Sequence, residues 1–143
     1  MKTILLGAFV LCTFLVLNSC AVKEQKDNSE VNKVTKRISM VIGIKTDKIE
    51  EYKKLHADSN SGVRDLLSKY NMHNFSIFLK QLDNGKWYLF GYYEYTGNDY
   101  EADMASLDKE KRNIEWLEMT DPMQIPLNGE SSWTKMEKVY YNE

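Results

Sequence analysis

The chain has 143 residues, 43% of them apolar, which is room for one domain with its own core and too little for two ordinary ones. Its formal net charge of -2, with no basic cluster long enough to follow a phosphate backbone, removes nucleic acid from the candidate partners. With 2 histidines and 2 cysteines, acid-base chemistry near neutral pH and thiolate chemistry are confined to very few positions.

Lys2 followed by the apolar run Ile4–Leu17 has the pattern of an export signal, too short for a relaxed membrane span. It ends in Leu17-Asn18-Ser19-Cys20, which resembles a bacterial lipobox, where a peptidase cuts before the cysteine and the new N-terminus is acylated. The expected divisions are a lipoprotein signal peptide over 1–19, a flexible tether over 20–36 after lipidated Cys20, and a folded domain over 37–143. Several acyl chains anchor stably where one is marginal. We therefore expect an exported lipoprotein held to a bacterial membrane by its N-terminal lipid alone, on the periplasmic or cell-surface side. Cys12 leaves with the signal and Cys20 is consumed by the lipid, so no thiolate metal site, cysteine nucleophile or disulfide is expected. The tether, AVKEQKDNSEVNKVTK, is polar with scattered charge and no apolar period.

Arg37–Lys45 puts Ile38, Met40, Ile42 and Ile44 on one face with period two, which predicts a strand with a buried side. Thr46-Asp47 with Glu50 has capping-box spacing, so a helix should follow at once, with Ile49, Tyr52, Leu55 and His56 along one side. Five poor helix formers at Asp58–Gly62 interrupt it before Val63, Leu66, Leu67 and Tyr70 resume the helical spacing. A second strand is predicted over His73–Leu82, then a tight hairpin at Asp83-Asn84-Gly85 and a third strand over Lys86–Tyr95. Asn98-Asp99 can cap the next helix, with Tyr100, Met104 and Leu107 inward, and Asp108 can restart it toward Ile114, Trp116 and Leu117. Asp121-Pro122 ends that helix, Pro126–Gly129 reads as an irregular loop, and Trp133–Tyr141 reads as the last strand. The order β-α-β-β-α-β is the split pattern of an α+β, ferredoxin-like sandwich.

Helices on one face of such a sheet leave the other face needing cover. Several of Phe75, Ile77, Tyr88, Phe90, Tyr92, Trp133 and Val139 should lie there, too much apolar area for water. A homodimer with sheets face to face, the dimeric α/β-barrel arrangement, is the expected solution. Within the first helix, Tyr52 and His56 at i and i+4 can address one small molecule. Lone histidines are more often structural than catalytic, so that spacing alone leaves open a core tyrosine and a histidine bound to helix-end carbonyls. His73 reads more strongly as structural, and Trp116 either lines a pocket or caps the core.

Three segments together are more specific. EEYKKLH at Glu50–His56, HNFSIFL at His73–Leu79 and WLEMTDPM at Trp116–Met123 make the chain, from about Ile38 onward, resemble the L-rhamnose mutarotase family. That resemblance implies small ferredoxin-like dimers that interconvert the α and β anomers of a free monosaccharide, with no cofactor. It implies that His56 is the proton donor, that Tyr52 and Phe75 contact the sugar, and that Trp116 and its follower Leu117 do so too. The chain departs from the family pattern in three places. Asn60-Ser61-Gly62 stands where a Trp-Pro-Glu-like start is common, Phe75 where tyrosine is common, and Glu115 where a second tryptophan is common. These changes alter the pocket wall and leave the acid intact. Water, Tyr52 and Glu115 are all open as the partner base, with His73 positioning Phe75. Two other functions fit the same fold: a non-catalytic sugar-binding lipoprotein, which Phe75 and Asn60-Ser61-Gly62 favour, and a different ferredoxin-like dimer enzyme such as a small monooxygenase or haem-degrading protein, which leaves WLEMTD unexplained.

Overall fold

The computed structural model describes residues 33–142. The export signal and lipidated Cys20 expected from the sequence lie outside these residues. The chain is already tied down at Thr35, whose amide donates to the Tyr95 carbonyl at 2.8 Å.

The first strand, β1, runs Lys36–Ile44 and keeps the predicted alternation, with Ile42 and Ile44 almost fully buried. A 3₁₀ turn over Thr46–Lys48 leads into α1, Ile49–Leu55. The predicted capping box does not form: the helix starts one residue later than expected, no side chain caps it, and Glu50 pairs with Lys53 instead. The interruption is real, since α2 begins only at Arg64 and runs to Lys69. Strands β2, Met72–Gln81, and β3, Trp87–Tyr95, form the predicted hairpin. The next helical region divides into α3, Tyr100–Leu107, and α4, Lys111–Thr120. Asp99 caps α3 as predicted, accepting from the Ala102 amide at 3.1 Å. Asp108 ends α3 rather than starting α4.

All pairings are antiparallel, and the sheet order is β2-β3-β1-β4, the ferredoxin-like arrangement. The fourth strand differs most from expectation. Its edge of β1 is shared by β4, Gln124–Ile125, and β5, Thr134–Met136. Gly43 pairs with Ile125 and Val41 with Thr134, so two steps along β1 correspond to nine along the edge, and residues 126–133 leave the sheet as an excursion. Gly43 allows the edge to approach: a Cβ there would sit 2.8 Å from the Ile125 carbonyl oxygen. Residues 137–142 form no strand, and this tail meets the sheet where the Arg37 guanidinium lies 3.7 Å from the Tyr141 ring centroid.

Between sheet and helices the core falls into two clusters. Ile42, Ile44, Ile49, Tyr52, Leu89 and Met123 pack under α1, and Val63, Leu66, Met72, Tyr93, Tyr95, Tyr100 and Leu107 pack under α2 and α3. Buried hydroxyls there are satisfied, Tyr93 by Tyr100 at 2.6 Å and Tyr95 by the Asp103 carboxylate at 2.6 Å. The segment between α1 and α2 crosses the seam between the clusters.

The sheet's other face carries Ser76, Phe78, Tyr88, Phe90 and Tyr92, as the register dictates. Of the residues expected to need cover, Phe75, Ile77 and Trp133 instead pack on the helix side, and Val139 lies in the strandless tail. The cause for Phe75 is a β-bulge. Asn74 adopts φ 52° in a register break between His73 and Ser76, and this returns Phe75 to the inner face. Ile114, expected inward, is exposed because Asn113, Trp116 and Thr120 take the buried side of α4.

Candidate active site

A cavity of about 410 Å³ opens at the seam between the two core clusters, within the roughly 300–1,000 Å³ typical of small-molecule sites. Tyr52 and His56 come from the end of α1, and Asn60–Arg64 from the interruption. Met40, Phe75 and Ile77 form the sheet side, and Trp133 reaches in from the edge excursion. Asn113, Trp116, Leu117 and Thr120 of α4 contribute at helical spacing i, i+3, i+4 and i+7, and Gln124 closes the wall.

His56 is the C-cap of α1, where the next residues leave the helix, and its side chain is half-buried. Its ring stacks on Tyr52 at 4.1 Å between centroids and meets the Trp116 ring edge-on at 5.1 Å. Nδ1 lies 2.9 Å from the Tyr52 carbonyl oxygen. A carbonyl only accepts, so Nδ1 carries the proton, and in the neutral ring Nε2 is left with its lone pair. Burial pushes the imidazole below its usual range, opposed in part by the bond to the Tyr52 carbonyl, and the Arg64 charge lowers it further. His56 is therefore predominantly neutral at pH 7.

Arg64 fixes the interrupted segment. Its guanidinium donates to the carbonyls of His56 at 3.0 Å and Asn60 at 3.1 Å, groups that the broken helix leaves without an intrahelical partner. Gly62 has φ 52° and lies beneath the Trp116 indole, which a Cβ would approach to 3.1 Å. The tryptophan rests where a side chain at position 62 would stand.

Tyr52 is buried, and burial raises its phenol far above the usual range, with the nearby Gln124 side chain opposing that shift only in part. It is a neutral donor at pH 7, and so does not supply a base. Glu115, the other side chain considered for that role, is exposed beside Lys111 and does not line the cavity.

The cavity thus gathers Tyr52, His56, Phe75, Trp116 and Leu117, all five residues singled out from the sequence as touching a sugar. His73 stays apart: it pairs with Glu94 before the bulge, on the sheet face away from the cavity, and the bulged Asn74 is what reorients Phe75. Sequence reasoning missed Asn113, Thr120, Gln124 and Trp133. Asn113 and Thr120 had a usable signal, three before and four after Trp116. Gln124 and Trp133 depend on the split edge and had none.

The family model for L-rhamnose mutarotase matches residues 37–142, nearly the whole described chain. Among solved structures, an L-rhamnose mutarotase from Formosa agariphila superposes with a TM-score of 0.57 at 17% identity, covering 76% of this chain and 100% of that one. A putative antibiotic biosynthesis monooxygenase from Nitrosomonas europaea superposes with a TM-score of 0.46 at 17% identity, covering 73% of this chain and 100% of that one. No curated protein gives a significant match. At such identities the structural likeness speaks for the fold, which is ferredoxin-like, while the match across residues 37–142 assigns the lineage: the chain belongs to the L-rhamnose mutarotase family.

Proposed function

We propose that the protein is an aldose mutarotase, a carbohydrate isomerase that interconverts the α and β anomers of L-rhamnose or a similar deoxy-sugar, with His56 as its acid-base residue. The observation that carries this reading is the Nδ1 contact to the Tyr52 carbonyl, which leaves Nε2 of a neutral imidazole free beside Trp116 in a sugar-sized cavity.

Ring opening moves one proton from the anomeric oxygen to the ring oxygen while the bond between the anomeric carbon and the ring oxygen breaks. Those two oxygens share one carbon, so one nitrogen serves both. Neutral His56 takes the anomeric proton at Nε2, and the imidazolium hands it to the departing ring oxygen. The aldehyde then rotates, and the same transfers in reverse close the ring on its other face. Protons balance without a second base, which suits a phenol at Tyr52 that stays protonated. Tyr52 donates a hydrogen bond to the substrate, and the rings of Trp116 and Phe75 with Leu117 cover its apolar face.

The test is exchange between the anomeric proton signals of L-rhamnose by NMR. Exchange well above the buffer rate is expected, and none for rhamnose, fucose or related sugars would overturn the enzyme. A sugar-binding protein without catalysis is the second reading, favoured by Phe75, which brings a ring stacked on Tyr93 and no hydroxyl to the wall. It predicts saturable binding with exchange at the buffer rate.

Two further proposals concern the protein's setting. Phe78 is 63% exposed on the open sheet face beside Tyr88, Phe90 and Tyr92. We infer that two copies pack these faces together, as the apolar area requires. Light scattering at micromolar concentration should give twice the chain mass, and a stable monomer would count against the dimer. The lipobox-like end of the N-terminal apolar run supports a signal peptide over 1–19 and acylation of Cys20 after export. Expressed in a bacterium, the wild type should sediment with membranes and Cys20→Ser should not; a variant that still sediments would remove the lipid anchor.

A further inference from the structure

Asn113 is 6% exposed, lines the cavity one helical turn from Trp116, and its side chain makes no hydrogen bond among the described residues. Two of its polar neighbours in the wall are engaged: the Thr120 hydroxyl donates to the Trp116 carbonyl at 3.1 Å, and the Asn60 Oδ1 accepts from the Gly62 amide at 3.1 Å. An amide that lines the cavity and bonds to no protein group keeps its donors and its acceptor for whatever enters there, and a ligand that displaces its water must replace those bonds. An aliphatic side chain would pack on the inward face of α4 without offering them.

An amide presents donors on one atom and an acceptor on the next, a pattern that two neighbouring hydroxyls complement. Asn113 and Trp116 are separated along the helix axis by about 4.5 Å. With the anomeric end of a sugar at His56 Nε2 and its apolar face against the Trp116 indole, the hydroxyls across the ring come to the Asn113 end of α4. We propose that Asn113 is a specificity-determining residue that hydrogen-bonds ring hydroxyls of the bound sugar remote from its anomeric carbon. The inference rests on the mutarotase reading for its substrate class and adds to it a contact that selects among aldoses.

The experiment compares wild type and Asn113→Leu by anomer exchange on L-rhamnose and on its 3-deoxy and 4-deoxy analogues. For L-rhamnose, Asn113→Leu should raise KM about 10- to 100-fold with kcat changed by less than about threefold, as expected for lost uniform binding. The KM penalty that wild type imposes on at least one deoxy analogue should vanish in the variant. A merely structural Asn113 would instead lower Tm and kcat and leave the deoxy penalties in place, and that result overturns the proposal. In ¹⁵N spectra of wild type, the side-chain NH₂ pair missing from Asn113→Leu should shift when L-rhamnose is added. Accelerated exchange with that pair unmoved refutes the contact and spares the mutarotase. A shifting pair with no acceleration on any of the three sugars supports the contact and refutes the mutarotase.

Discussion

His56→Ala should slow enzyme-dependent anomer exchange by about 10² to 10⁴, the usual contribution of a positioned acid-base group. The loss should fall on kcat more than on KM, because Tyr52, Trp116 and the α4 wall still shape the cavity. The pH profile follows from the depressed imidazole. In the proposed cycle the neutral ring is the form that accepts the anomeric proton, and it predominates above the folded-state pKa. With that pKa held below 6.5 by burial, wild-type kcat/KM, corrected for buffer, should climb with pH, pass its midpoint below 6.5 and level off by neutrality. In His56→Ala that inflection should be gone. Equal exchange in the two proteins would remove His56 from the chemistry, and a profile falling through the same range would mean that the imidazolium is the resting catalyst.

Gly62→Val should be the most damaging change outside the acid-base group. A residue with a Cβ at φ 52° costs about 1–2 kcal/mol, and a branched one more. The new side chain also enters space held by the Trp116 indole, an overpacking cost of about 1–3 kcal/mol. Together these should lower Tm by roughly 10 °C or more, and the displaced indole should reduce exchange. The two contributions are separable. In a Trp116→Ala background the collision is absent, so Gly62→Val should cost only the backbone part. Full additivity of the two substitutions would show that the indole and position 62 do not compete for space.

That contact also explains what the sequence conveyed about the site and what it concealed. Asp58–Gly62 was recognisable as a break from its composition alone, because five poor helix formers in a row have one reading. Its purpose was not recognisable. The break puts His56 at a helix end, lets Arg64 collect the freed carbonyls, and leaves Gly62 low enough for Trp116 to lie over it; the first two are local but need the three-dimensional turn, and the last depends on a residue distant in sequence. The strands with a clean period of two, such as Ile38–Ile44, were legible because Ile38, Met40, Ile42 and Ile44 all pack on the core side. The bulge at Asn74 was not, since a single residue at positive φ shifts Phe75 to the other face without disturbing the composition. The capping box failed because the chain first makes a 3₁₀ turn, which puts Asp47 in the wrong place to cap α1. The last strand was overextended because Val139 and Tyr141 look like strand residues, whereas Tyr141 is drawn to Arg37 and the pairing with β1 stops at Met136. The two-residue β4 was missed because so short an edge carries no period at all.

The bond that fixes the His56 tautomer is made by a main-chain oxygen of residue 52, not by a side chain. Any residue that keeps α1 helical through that turn presents the same carbonyl. Proton chemistry is thereby separated from the composition of the wall, and the two are free to change at different rates. Positions 60–62 and 75, where the sequence differs from the pattern expected of the family, line the cavity, while position 115 is exposed outside it. If His56 carries the proton as proposed, substitutions in that wall can change which sugar is held without touching the group that opens its ring.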